Sequence, residues 1–426
     1  MSPAQPLRVA VVGAGWAGLA AAVRATEAGH RVSLFEMSPQ WGGRARGVEV
    51  QGMALDNGQH ILIGAYLRTL ALMRSVGVEP AEVLHRQPLE LRHPDGRGLR
   101  LPTGPAWLVF AIAVMQCKGW NWRERRALLR TAAGWTLARF RCPDQLSVAE
   151  LCNSLPAAVR ELLIDPLCVA ALNTPARDAS AAVFLRVLRD ALFSGKGSSD
   201  LLLPRRPLAE LVPGPAVSWL ASRGAELHLS VRAQALTRQG AKWHLDGRPF
   251  DRVILACTAR EAARLARPHA PSWSDIAGAM SYEPIVTVYL RCPGARLPCP
   301  MMALSEGPQA PAQFAFDHGA LGASPGVFAF AVSGAGAWVE RGLDATAAAV
   351  LDQALRAFPA GTWPQPPSVL QTMAEKRATF SCSAGLQRPL ASIAPGLLAA
   401  GDYVAGPYPA TLEGAVLSGE AAASSL

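Results

Sequence analysis

Runs of apolar residues give the chain three textures. At the start, Arg8-Val-Ala-Val-Val12 and Arg31-Val-Ser-Leu-Phe-Glu36 are short and almost wholly apolar, as strands buried on both faces are, and 19–28 between them predicts a helix. Alternation marks 89–101 around Asp95-Gly96, which predicts a hairpin. It returns at 286–290, 313–316 and 327–332, predicting an antiparallel sheet with a helix near 344–358. The third texture is helical: 148–192, broken at Pro156, Pro166 and Pro175, and then 208–223. Segments 226–229, 231–236, 242–245 and 250–256 read as strands returning to the first domain. At the tail, 396–402 reads as a strand ending in Asp402, and Pro409-Ala-Thr411-Leu412 opens a last helix.

Between the first strand and its helix lies Gly13-Ala-Gly15-Trp-Ala-Gly18. Gly13 permits the turn, Gly15 lets backbone approach a pyrophosphate, and Gly18 lets helix and strand pack closely. The free N–H groups of the helix start then face the phosphates. Glu36 ends the second strand 18 residues after Gly18, where a carboxylate can accept ribose hydroxyls. An acid there argues against a 2′-phosphate on the ligand. Strand, glycine turn, helix, strand and acid in this order predict dinucleotide binding.

Composition narrows the function. The chain has 426 residues, enough for two domains, and a mean hydropathy of +0.17, which points to a large apolar cavity or to membrane contact. Its 41 Lys and Arg outnumber 32 Asp and Glu for a net charge of +9. No zinc-finger spacing or aromatic-basic RNA motif accompanies that charge, so nucleic acid is not an expected partner. Eight scattered cysteines form no CxxC pair; they read as reduced core residues, and no metal site is expected. The first strand begins near residue 8, which leaves no room for a leader of ~15–30 residues and predicts a cytoplasmic protein.

The greasiest run, 106–117, is shorter than the ~18 residues a span needs. It reads either as a core helix or, with Trp120, Trp122, Arg123, Arg125, Arg126, Arg130, Trp135, Arg139 and Arg141 behind it, as a monotopic attachment to the inner face of the membrane.

Trp41-Gly-Gly43-Arg44 adds a second close approach of backbone to the same phosphates. With the glycine turn, Glu36 and the tail, it resembles the flavin-binding half of the amine oxidase and phytoene desaturase superfamily. That resemblance implies FAD rather than NAD, in an α/β, Rossmann-type (GR2-like) domain built from 1–68, 205–275 and 385–426. It leaves 69–204 and 276–384 as a substrate domain of antiparallel sheet and helical lid, with the membrane-associated segment at 105–141. The cofactor contacts it implies are Gly13, Gly15, Ala17, Gly18, Glu36, Met37, Gly43, Arg44, Asn57, Gly58, Gln59, His60, the backbone of Val231, Gly401, Asp402, Thr411, Leu412 and Ala415.

Six blocks of the chain narrow the resemblance further: Asp56-Asn-Gly-Gln-His60, Pro166 to Pro175, Ala179-Ser-Ala, Phe184 to Asp190, Ser199 to Pro204 and Pro409 to Ala415. They are similar to the hydroxysqualene dehydroxylases, squalene-associated, desaturase-like enzymes of bacterial hopanoid synthesis. The substrate this implies is a long-chain triterpenoid alcohol, and the product is squalene. The hydroxyl leaves with acid assistance, and hydride arrives from N5 of reduced FAD. An external electron donor and hand-over from a squalene-synthase-like enzyme go with that reading. The acid is sought among His60, Tyr408 and Tyr403, with Asp165, Asn173 and Asp190 as alternatives in the lid. Two rivals remain: a phytoene-type desaturase or amine oxidase on the same fold, and a non-catalytic isoprenoid-binding escort.

Overall fold

The structure is a computed structural model that describes residues 5–101, 104 and 106–426. Residues 1–4 of the first expected domain and residue 105 of the membrane-associated segment lie outside the described residues.

Six strands form the first sheet, in the spatial order Glu226–Leu229, Arg31–Glu36, Arg8–Val12, Arg252–Leu255, Leu397–Ala399 and Ser392–Ala394. The first five run parallel and the last antiparallel. The register sets Val9 against Arg252 and Val12 against Leu255. Side chains alternate across the central strand. Val9 and Val11 pack with the Trp16–Glu27 and Leu412–Ser424 helices, while Ala10 and Val12 join the core on the other side with Phe250 and Trp243. Covering on both faces explains why these strands read as unbroken apolar runs.

The carboxyl ends of the parallel strands meet at one edge. In chain order, Gly13 follows the first of them, Arg8–Val12, Glu36 ends the second, Ala256 follows the fourth, and Gly401-Asp402 lies just beyond the fifth. In an open parallel sheet that edge is where a ligand binds.

A second, five-stranded antiparallel sheet runs Met301–Ala303, Phe314–Asp317, Val327–Val332, Tyr282–Arg291 and Ser368–Phe380. The Leu343–Ala357 helix packs on it. A small sheet of Leu62–Ile63, Leu201–Pro204 and Leu84–Gln87 stitches together segments far apart in the chain.

Several elements depart from the sequence reading. The first helix starts at Trp16, inside the glycine turn rather than after it. Segment 231–235 makes no ladder, because the Val231 N–H bonds the Glu36 carbonyl instead; the strand begins at Leu236. Pro166 does not break its helix. A π-turn at Arg160–Ile164 leads into Asp165–Leu172, so Pro166 stands in the first turn, where its missing N–H costs nothing. Pro213 does end one helix, Leu208–Leu211, and starts the next, Pro213–Ser222. Ser368–Phe380 was not foreseen: its charged, half-exposed residues hide a strand that pairs along nearly the whole of Tyr282–Arg291.

The apolar run forms the Ala106–Gln116 helix and divides between its two readings. Val109, Phe110, Ala113 and Val114 enter the core, while Leu108 and Met115 are each 39% exposed. No helix among the described residues is long and apolar enough to cross a membrane.

Candidate cofactor and substrate site

A cavity of about 570 Å³ opens at the carboxyl edge of the parallel sheet and runs beneath the second sheet. One end is glycine turn and carboxylate; the other is apolar, with Leu89, Leu167, Leu188, Leu192, Phe314 and Phe316 in its wall.

At the first end the backbone makes a cradle. The Gly13 N–H donates to Phe35 (2.7 Å), and Gly42 donates to Ala14 (2.9 Å), which brings the Gly42-Gly43 turn onto the first turn. A Cβ on Gly43, which sits at φ +66°, would stand 3.0 Å from the Gly15 Cα. Gly18 faces the strand instead of the cavity: a Cβ there would lie 1.8 Å from the Gly13 carbonyl oxygen. Gly15 caps the first helix without any side-chain acceptor, and Trp16 and Ala17 of its first turn line the cavity. Those N–H groups suit a phosphate.

Glu36 is buried at this end, and its carboxylate accepts from the N–H groups of Ala14 and Ser38, both at 2.7 Å. Each oxygen keeps a lone pair for a ligand hydroxyl. Met37 and Val231 line the same end, with the Val231 N–H already given to the Glu36 carbonyl.

The two ends of the chain meet at Arg44 and Asp402. The Arg44 guanidinium bonds the Asp402 carboxylate and the Ala378 carbonyl (2.8 Å), so it bridges the first domain, the tail and the second sheet. Burial would lower the Arg44 pKa, but the charge and hydrogen bond of Asp402 outweigh it and hold it above the ordinary value. Asn57 acts on the same loop: its side-chain N–H donates to the Arg44 carbonyl at 2.6 Å. Thr411 caps the last helix by accepting from Gly414 (3.0 Å), and Gly58, Gly401, Leu412 and Ala415 line the wall beside it.

The expected acids are placed unequally. His60 lines the cavity with Nδ1 2.8 Å from the Gly58 carbonyl, which fixes Nδ1 as the protonated nitrogen and leaves Nε2 an acceptor. Burial lowers its pKa below 6.5, so at neutral pH the ring has no spare proton to give. Tyr403 is 2% exposed, lines the cavity, and its hydroxyl has no hydrogen-bond partner among the described residues. Burial holds its pKa well above the usual value, so it keeps its proton as a donor. The Tyr408 hydroxyl donates to Asp190 Oδ2 at 2.7 Å. Of the lid alternatives, Asn173 and Asp190 line this cavity. Asp165 lines a neighbouring hollow of about 360 Å³.

Sequence reasoning missed Arg388. Its guanidinium bonds the carbonyls of Asp402, Tyr403, Val404, Gly406 (3.0 Å) and Tyr408 (2.7 Å), fixing the whole loop that carries three site residues. A lone arginine donating to backbone leaves no motif. His318 was also missed; its Nε2 meets Gln59 Oε1 at 3.2 Å.

The residues present fit FAD: a backbone cradle for the pyrophosphate, a carboxylate for the ribose, an unpartnered phenol and a capped helix start around one cavity. Fold and site together define an FAD-dependent oxidoreductase. The profile of the flavin containing amine oxidoreductases matches residues 16–426, and the chain belongs to that family. Among its relatives, a hydroxysqualene dehydroxylase of Zymomonas mobilis is 28% identical over 435 residues, covering 97% of each chain. A probable zeta-carotene desaturase of Synechococcus elongatus is 26% identical over 322 residues, covering 68% of this chain and 66% of that one. An oxidoreductase from Methanosarcina mazei shares the fold with a TM-score of 0.75 at 16% identity, covering 97% of this chain and 99% of that one.

Two outcomes follow from this geometry. Replacing Glu36 by Ala removes the acceptor of two backbone N–H groups and of the ribose. The variant therefore binds FAD weaker by about 1.5–3 kcal/mol, read as a fall in the visible-to-ultraviolet absorbance ratio after gel filtration. Burial pushes the His318 pKa down to about 4, while the unfolded chain titrates near 6.5, so the unfolded state binds the extra proton in that window. The stability advantage of wild type over His318→Gln therefore shrinks as pH falls from 6.5 to 4. It is read as a difference between the two proteins because Asp56, which burial raises to about 7, tilts the stability of both the opposite way.

Proposed function

We propose that this oxidoreductase removes the hydroxyl of a long-chain isoprenoid alcohol, converting hydroxysqualene to squalene in triterpenoid (hopanoid) synthesis. The observation that carries the reading is the continuity of one cavity: the cofactor cradle continues directly into a hollow walled by Leu89, Leu167, Leu188, Leu192 and Phe314. A neutral hydrocarbon chain is what such a wall favours, since each buried CH₂ contributes about 0.8 kcal/mol. The similarity to a hydroxysqualene dehydroxylase along 97% of both chains supports the same substrate class.

Reduced FAD supplies the hydride. The protein's part is to hold the alcohol, exclude water and protonate the departing oxygen, because hydroxide leaves poorly. Tyr403 is the group favoured here to donate a hydrogen bond to the departing oxygen: its phenol is protonated, enclosed and without a partner among the described residues, whereas His60 is neutral with its one proton already bonded.

The substrate reaches this wall from a bilayer. The Ala106–Gln116 helix packs on the Ala181–Phe193 helix, whose Val187, Leu188, Ala191 and Leu192 line the cavity. Its outer side and the following Trp122–Leu137 helix expose Leu108, Met115, Trp122 (62%) and Leu137 (86%) among Arg123, Arg126 and Arg130. Apolar side chains ringed by arginine suit an anionic headgroup layer. The membrane association, an external electron donor and hand-over from a squalene-synthase-like enzyme belong to this reading.

Incubated without oxygen, with dithionite and hydroxysqualene, the purified protein yields squalene. Recovery of unchanged alcohol from photometrically reduced holoprotein would overturn the assignment, and desaturation of phytoene under air would replace it. On vesicles containing anionic lipid, Trp122→Ser combined with Leu137→Ser lowers the sedimented fraction several-fold. Unchanged sedimentation would remove this face from the account.

A further inference from the structure

The Ala181–Phe193 helix carries one charged side chain into the cavity wall, Asp190. Its Oδ2 accepts from the Tyr408 hydroxyl (2.7 Å) and from Arg186 Nε (2.6 Å), and its Oδ1 accepts from Arg189 Nε (3.0 Å). The Arg186 guanidinium also lies 5.3 Å from the centre of the Tyr408 ring. The group is held from both sides of the molecule: Asp190 by its helix, and Tyr408 by Arg388, which bonds its carbonyl at 2.7 Å. The Asp190 side chain is 13% exposed.

Such a cluster is out of place in a tunnel for a pure hydrocarbon, where a charge facing the ligand costs affinity. It suits a ligand with one hydroxyl. Two arginines and a phenol do not exhaust the acceptor positions of a carboxylate, and Oδ1 has one lone pair beyond the Arg189 bond. Asn173, another polar lid residue in the wall, is already committed: it accepts from the Gly334 N–H (2.7 Å) and donates to Thr379 (2.9 Å). Resting on the reading above, we propose that Asp190 and Tyr408, braced by Arg186, form the alcohol-recognition site of the cavity, taking the O–H of the isoprenoid substrate and so favouring the alcohol over the hydrocarbon product.

The carboxylate is ready for this task. Burial would raise the Asp190 pKa, but hydrogen bonds from Arg186, Tyr408 and Arg189 bring it below the ordinary value, so it is an acceptor at neutral pH. A hydroxyl bonded to a charged acceptor is worth a factor of roughly ten or more in affinity. Once the hydroxyl has gone, the product loses that bond, and the same cluster helps expel it.

The test measures binding without turnover. Oxidised holoprotein is titrated with hydroxysqualene and, separately, with squalene, following the perturbation of the flavin spectrum. Wild type binds the alcohol about tenfold tighter or more. Asp190→Asn and Tyr408→Phe, each purified with a full flavin complement, lose most of that preference while their affinity for squalene is unchanged. An unaltered preference in both variants overturns the proposal, as does an equal loss of both ligands, which marks the cluster as scaffold only. A wild type that binds squalene but not the alcohol defeats the dehydroxylase reading itself, a result distinct from either variant outcome.

Discussion

The site is closed by a bridge, the bond between Arg44 and Asp402, whose partners stand 358 residues apart. One belongs to the loop after the second strand and the other to the loop after the fifth, so the bond closes the carboxyl edge of the sheet from both directions. Arg44 also holds the Ala378 carbonyl, which ties this edge to the longest strand of the second sheet. Arg388 completes the closure by gathering the carbonyls of Asp402, Tyr403, Val404, Gly406 and Tyr408. Charge-assisted bonds to fixed backbone are strong and directional, which is why a loop without regular structure can present Tyr403 and Tyr408 in definite places.

Around that closure the protein divides its cavity by polarity. At the glycine-turn end the wall is backbone and the Glu36 carboxylate, and there Gly43 and Gly15 approach so closely that a Cβ would crowd them. At the other end aliphatic and aromatic side chains line it instead. Tyr403, Tyr408 and Asp190 stand where the two regimes meet. Polar groups at such a border are costly unless they find partners, so each unmet one points to something the ligand brings.

Residues near the N-terminus could be read because their constraints are local. A turn that approaches phosphate needs Gly13, Gly15 and Gly18 at fixed spacing, and the acid needs the end of the next strand. The strands Arg8–Val12 and Arg31–Glu36 fall where the apolar runs placed them. The tail was legible for a weaker reason: Gly401-Asp402 and Thr411 speak only in company with the first turn. Ser368–Phe380 was illegible, since its polar residues are tolerated by an exposed face and its identity as a strand comes from a partner about eighty positions earlier in the chain.

The chain by itself determined the dinucleotide turn, the parallel strands and the apolar character of the cavity, because backbone geometry and burial impose residue types at short range. Only the tertiary structure decided which polar groups share a wall. It drew Asp190 to Tyr408 across 218 positions, left the Tyr403 hydroxyl without a partner among the described residues, turned His60 into an acceptor through Gly58, and gave half of the greasy helix to the core and half to the surface. Those outcomes rest on long-range packing and desolvation, which no local pattern of residues encodes.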